Sequence, residues 1–164
     1  MALQWTRRRL LGTGATALTL GLGGCLGNTS EKVPEFHGTL QVTEAHQYSA
    51  PGCSCCHEYA AYLRDYLDTP LTETAPDDIA TVKRDHGVPA ELQSCHTLVL
   101  DGYVVEGHVP VDVIAELFEE QPAIDGIALP GMPSGSPGMG GQKTAPFTVY
   151  ALGGGRTGDV YVEI

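Results

Sequence analysis

Three of the chain's five cysteines stand within four residues, Cys53-Ser54-Cys55-Cys56, and this cluster sets the strictest condition on the fold. Thiolates are scarce, soft and reactive, so their sulfurs have to be presented to a redox partner or a metal ion rather than dispersed through a core. The spacing contains a C-x-x-C pair (Cys53 and Cys56), a C-x-C pair, and a vicinal pair whose disulfide closes only a strained ring. One ordinary disulfide is the most that the cluster can form, which leaves a spare thiolate. Redox pairing uses two of the three sulfurs, whereas Cu(I) or Zn(II) can use all three.

The flanks place the cluster between a strand and a helix. Leu40 to Tyr48 alternates loosely and predicts a strand ending at the turn residues Ala50-Pro51-Gly52. From Cys56 onward Tyr59, Leu63, Tyr66 and Leu67 recur at helical spacing, opposite Glu58, Arg64, Asp65 and Asp68. Cys55 and Cys56 then fall at a helix N-terminus, where free N–H groups and the positive dipole end favour thiolate. Leu71 to Thr74 reads as a short strand, and Asp77 or Asp78 caps a helix to His86 that Gly87 stops. Thr97 to Leu100, the turn Asp101-Gly102 and Tyr103 to Glu106 predict a hairpin. Val111 to Glu120 is an amphipathic helix with Val113, Ile114, Leu117 and Phe118 on its apolar face.

The predicted order is β-α-β-α-β-β-α. It is the thioredoxin-like plan of an α/β domain, with the redox motif at the start of the first helix. A Pro/Gly-rich loop carrying Met132 and Met139 follows, and two further strands, Phe147 to Leu152 and Asp159 to Ile164, complete the domain. Tyr150 and Tyr161 in these strands read as packing residues. In this plan a cis-proline before the third strand packs against the redox motif. Ser94-Cys95-His96 takes that place here, and Pro89 lies too far upstream. The plan therefore predicts that Cys95 faces the cluster despite a separation of roughly forty positions.

The first residues concern where this chemistry happens. Thr6-Arg7-Arg8-Arg9-Leu10-Leu11 is a twin-arginine export pattern, with Arg7 and Arg8 as the signal pair, and it precedes an apolar run from Leu10 to Leu22. That run is shorter than the roughly 20 residues of a membrane span. Leu22-Gly23-Gly24-Cys25 has the form of a lipobox, which makes Cys25 a lipid anchor rather than a metal ligand. The expected organisation is a signal peptide over 1–25, a polar tether over 26–38 and one folded domain over 39–164. The expected location is the outer face of the cytoplasmic membrane.

The net charge is −11, and loss of the leader removes three arginines and no carboxylate. Lys32, Lys83 and Lys143 are the only lysines against 20 scattered carboxylates. Such an acidic, lysine-poor surface suits high salt, as in an extreme halophile, and argues against nucleic-acid binding. No nucleotide-binding glycine pattern or nucleophile elbow is evident.

Four motifs occur in order: Cys53-x-Cys55-Cys56, Gly87-Val88-Pro89 leading to Ser94-Cys95-His96-Thr97, Glu106-Gly107-His108-Val109-Pro110, and Pro130-Gly131-Met132-Pro133 through Gly135-Ser136-Pro137-Gly138-Met139. Together they resemble the CopG-type copper-resistance proteins, a metal-binding family, over roughly Ala45 to Ile164. The resemblance implies a thioredoxin-like fold outside the cytoplasm that binds several Cu(I) ions through Cys53, Cys55, Cys56 and Cys95, with redox activity between copper states as a further implication. Met132 and Met139 are then thioether donors, and His96 and His108 are ligands or hydrogen-bonding neighbours of ligands. The implied partners are copper ions, the membrane through the lipid anchor, and a copper exporter, chaperone or electron carrier. The chain departs from the family pattern at Gly140, where an acidic residue is expected, and at Ala50-Pro51-Gly52. His57 points elsewhere on its helix, and His37, His46 and His86 are surface or packing residues.

Two other classes stay open at this level. A thiol-disulfide oxidoreductase needs only Cys53 and Cys56, and a structural zinc domain needs the same sulfurs with no preference for copper.

Overall fold

The computed structural model describes residues 35–164. Arg7, Arg8, Cys25 and most of the 26–38 stretch lie outside the described residues. Within 35–38, Phe36 packs against Tyr66 and donates its N–H to the Asp112 carboxylate.

The chain forms β1 (Ala45–Ser49), α1 (Ser54–Arg64), β2 (Thr72–Thr74), α2 (Ile79–Asp85), a single 3-10 turn (Ala90–Leu92), β3 (His96–Leu100), β4 (Tyr103–Glu106), α3 (Val111–Glu120), β5 (Gly126–Ala128), β6 (Thr148–Leu152) and β7 (Val160–Glu163). The described residues thus make a mixed α/β domain around one seven-stranded sheet, ordered β2-β1-β3-β4-β5-β6-β7. β1 runs parallel to β2 and antiparallel to β3, and the β3-β4 hairpin is antiparallel. β5 is parallel to β4, so α3 is the crossover of a β-α-β unit.

Alternation along the strands divides the core between the two faces. Val105, Ile127, Val149 and Ala151 join Tyr59 and Leu63 of α1 and Ile114 and Leu117 of α3 in the larger cluster. Their neighbours Val104, Ala128 and Leu152 pack on the other face with Val88 and Leu92, under the segment that follows α2.

Local chemistry sets the element ends. Asp78 caps α2 by accepting from the N–H groups of Ala80 (3.0 Å) and Thr81 (3.2 Å). The hairpin turn has positive φ at both Asp101 (44°) and Gly102 (92°), as a two-residue turn that follows strand twist requires. α1 begins at Ser54 with Cys53 as its cap, two residues before the point that the apolar spacing marks. The first strand starts at Ala45, five residues later than its expected beginning, because Leu40 instead bridges Leu67.

β5 has no counterpart in the sequence reading. It is three residues long, and a Cβ at Gly126 would lie 1.9 Å from the carbonyl oxygen of Val104. Close backbone approach, rather than a patterned run of side chains, makes this strand.

Candidate metal centre

β1 feeds the turn 50–52 and delivers Cys53 to the cap of α1, so Cys55 and Cys56 occupy the first helical turn. Gln47 of β1, fully buried, reaches under the turn and donates to the Cys56 carbonyl (2.9 Å) and to Ser49 Oγ (3.0 Å). Cys53 and Cys56 are joined as a disulfide, while Cys55 and Cys95 are free thiols.

Cys95 comes from the residue before β3, which pairs directly with β1. Its Sγ stands 3.8 Å from Cys55 Sγ, and Cys55 Sγ is 3.5 Å from Cys53 Sγ. All four sulfurs lie within 4.8 Å of one another. On the other side of Cys95 the sulfur meets His108 Nε2 at 3.0 Å and His96 Nδ1 at 3.3 Å. Both imidazoles are fully buried.

His108 donates from Nδ1 to the Pro137 carbonyl (2.6 Å), which leaves the Nε2 lone pair facing the sulfur. This is the outer partnering that fixes the tautomer of a metal-ligating histidine. Tyr59 of α1 backs the pair, with its ring 4.6 Å from that of His96 and 5.3 Å from that of His108, and its hydroxyl donates to the Val109 carbonyl (2.7 Å).

The segment holding Cys95 is anchored by a buried charge pair. Glu106, fully buried at the end of β4, accepts from the Ser94 N–H (2.6 Å), from Thr97 Oγ1 (2.7 Å) and from Lys83 Nζ. Three donors hold one carboxylate beside the residue that precedes Cys95. The next residue, Gly107 (φ 80°), leaves no room for a Cβ, which would lie 2.4 Å from the Leu129 carbonyl and 2.7 Å from Ser94 Cβ.

The Pro/Gly-rich loop closes over this arrangement. Ser94 Oγ donates to the Gly131 carbonyl, and Gly138 lies against the N-terminal turns of α1. Gly138 has φ 78°, and a Cβ there would stand 2.7 Å from Tyr59 N and 3.0 Å from the Cys55 carbonyl. Gly138→Ala is therefore expected to cost about 1–3 kcal/mol and to lift the Pro137 carbonyl from His108. Thermal unfolding together with the His108 ring resonances in NMR checks both effects.

Burial decides the protonation states. The Cys95 thiol is pushed up to about 12, first by burial and then by the adjacent Cys55. His96 is held well below the ordinary imidazole range by burial, with His108 and Lys83 adding to the effect. Burial also lowers His108, against the raising influence of the Pro137 carbonyl. Two neutral imidazoles thus face a thiol that keeps its proton until a metal ion replaces it.

Of the residues singled out in the sequence, the fold brings together Cys53, Cys55, Cys56, Cys95, His96 and His108. Met139 is half-buried on the covering loop, and Met132 is 53% exposed. His57 is turned to solvent and paired with Glu73 (3.0 Å). His46 stacks on Tyr48, which also meets His86, and His37 is exposed beside Glu35. Sequence reasoning missed Lys83 and Gln47 altogether and gave Glu106 no role beyond its motif. The signals were a lone lysine at the end of α2 and the Glu that opens Glu106-Gly107-His108.

A family described as "Protein of unknown function, DUF411" matches residues 92–139. Among solved structures, forms 1 and 2 of "Copper resistance protein copG" are each 35% identical to this chain with a TM-score of 0.66. Each covers 73% of this chain, and the matches span 96% of form 2 and 95% of form 1. No curated protein matches.

Proposed function

We propose, because this chain belongs to the family of the copper resistance protein CopG, that it binds copper in copper resistance and holds several Cu(I) ions on Cys53, Cys55, Cys56 and Cys95. The observation that carries this reading is the convergence of Cys95 on the cluster, 3.8 Å from Cys55 across 40 positions of sequence. Thiolate is the ligand that Cu(I) prefers. Zinc would fit the same sulfurs, but the copper-resistance relatives favour copper.

The chain's own residues define the conditions. Glu106 fixes the backbone beside Cys95, Gln47 fixes the carbonyl of Cys56, and the loop that carries Met139 covers the site. The Cys53–Cys56 disulfide must first accept two electrons and two protons from a dithiol reductant before all four sulfurs can bind. The order β2-β1-β3-β4, with its mixed directions, supports a thioredoxin-like core. Export by the twin-arginine route, a lipid anchor at Cys25 and a copper exporter, chaperone or electron carrier as partner complete the proposal.

An anaerobic Cu(I) titration of the reduced chain, read by native mass spectrometry with free-thiol counting, tests it. Several coppers bound together, with all four thiols shielded from alkylation, is the expected result. Failure to retain copper would overturn the reading.

The disulfide favours a second reading, a thiol-disulfide oxidoreductase. That reading requires metal-free turnover of a dithiol substrate that stops in Cys53→Ser.

A further inference from the structure

We propose that residues 132–146 form a hinged flap, latched by His108, whose opening sets the rate at which copper enters and leaves the site. The inference rests on the reading of this chain as a copper protein and adds to it a control on access.

The flap is a unit of its own. Gly135 N–H donates to the Gly140 carbonyl (2.7 Å) and Met139 N–H to the Ser136 carbonyl (3.0 Å). Ser136 gives both its N–H (3.2 Å) and its Oγ (2.7 Å) to the Pro133 carbonyl. Pro133 and Pro137 each fix a φ angle within it. All of these restraints survive if the segment moves as a body, and the half-buried Met139 moves with it.

Its ties to the rest of the domain are few. Among the described residues one hydrogen bond joins 132–146 to the remainder, from His108 Nδ1 to the Pro137 carbonyl (2.6 Å). Beyond that bond, Gly138 packs on the first turns of α1, and Lys143 lies over the Phe147 ring at the flap's own end.

Both ends are built to pivot. Gly131 has φ 72°, and a Cβ there would meet nothing within 4 Å, so no neighbour resists its rotation. The pivot is itself fixed to the body, since Gly131 N–H donates to the Gln93 carbonyl (3.3 Å) and its carbonyl accepts from Ser94 Oγ. At the other end residues 141–146 are all exposed, and the chain is caught again only at buried Phe147, whose N–H donates to the Ile164 carbonyl (2.8 Å). A few terminal residues that absorb the backbone change are what a lid needs.

Burial makes the movement necessary. Cys53, Cys55 and Cys95 are partly exposed and can be met from outside, whereas His108 is fully buried. An ion that reaches His108 has to displace one of its covers, Tyr59 or the flap. Tyr59 is fully buried in the core with its hydroxyl bonded to the Val109 carbonyl, while the flap hangs on a single hydrogen bond. The flap therefore yields first.

The test is carbethoxylation of His108 by diethyl pyrocarbonate in the metal-free full chain with the disulfide intact, read residue by residue by peptide mass spectrometry. His108 should react at least tenfold more slowly than the exposed His57. Its rate should stay flat in low urea, because opening the flap exposes little surface. Exchange of the Leu98 amide, in the middle of β3, should climb with urea as global unfolding does. Gly131→Ala puts an L side chain at positive φ and should raise the His108 rate about fivefold. Gly131→Asn, which tolerates that region better, should raise it less. Anaerobic Cu(I) uptake from a chromophoric chelator, and release to one, should both quicken in Gly131→Ala by that same factor with affinity unchanged, since a gate acts on both directions alike. A His108 rate that follows Leu98 exchange across urea, or labelling or copper rates that ignore Gly131→Ala, would overturn the proposal. Failure to retain copper would remove the copper reading instead, because the labelling of His108 needs no metal.

Discussion

Glu106→Ala is expected to destabilise the domain by about 3–5 kcal/mol, the cost of stripping one partner from a buried ion pair. At this size that corresponds to a fall in Tm of about 10 °C or more. Glu106 is fully buried and the Lys83 side chain is 4% exposed, so neither charge can fall back on water. Removing the carboxylate also leaves the Ser94 N–H and Thr97 Oγ1 without their acceptor. The damage lands beside Cys95, so copper uptake should fall along with stability. Lys83→Met alone should cost a similar amount, because it leaves the carboxylate buried and uncompensated. The double variant Lys83→Met with Glu106→Gln should recover much of the loss, since the glutamine oxygen still accepts from Ser94 while neither charge remains to be desolvated. Calorimetric unfolding of the single and double variants measures this, and equal losses in all three would contradict the role assigned to the pair.

Cys95→Ser carries the largest expected effect on metal binding. In the reduced chain it should weaken Cu(I) retention by more than ~100-fold, beyond the 10- to 100-fold range typical of changes next to a ligand. Serine conserves the volume but offers a poor ligand for a soft ion. Cys95 is also the sulfur that comes from outside the helix start, so its loss leaves three sulfurs on one turn with no opposing thiolate. Competition against a chromophoric Cu(I) chelator reads the affinity directly. A shift below tenfold would remove Cys95 from the site. Formation of the Cys53–Cys56 disulfide should proceed as in the parent chain, which separates a loss of metal affinity from a loss of fold.

Much of the centre was legible because its signals are local. The thiol spacing, the strand before it and the helical period after it need only neighbouring residues, and α3 occupies the interval that its apolar face predicts. The hairpin was equally plain, since Asp101-Gly102 encodes its turn. The pairing of β5 with β4 was not legible, because a three-residue strand has too little alternation to register and is made by contact with its neighbour. Lys83 and Glu106 escaped for a related reason. A lysine at the end of a short helix reads as a solvated dipole partner until the chain is folded, and only then does it lie inside the domain against a carboxylate 23 positions away.

The amino-acid sequence by itself determined which donor atoms exist and how those on one helical turn are spaced, because covalent connectivity and helical pitch suffice for that. It also carried the motifs that resemble a copper-resistance family. The strand-helix plan already set Cys95 opposite the cluster, whereas only the tertiary structure decided which sulfur it meets and that two imidazoles join it. Cys95 reaches Cys55 because β3 pairs with β1, and His108 faces Cys95 because Pro137 of the covering loop holds its other nitrogen. Convergence across tens of residues depends on strand register and loop closure, which are settled by burial of the whole core rather than by any local stretch of chain.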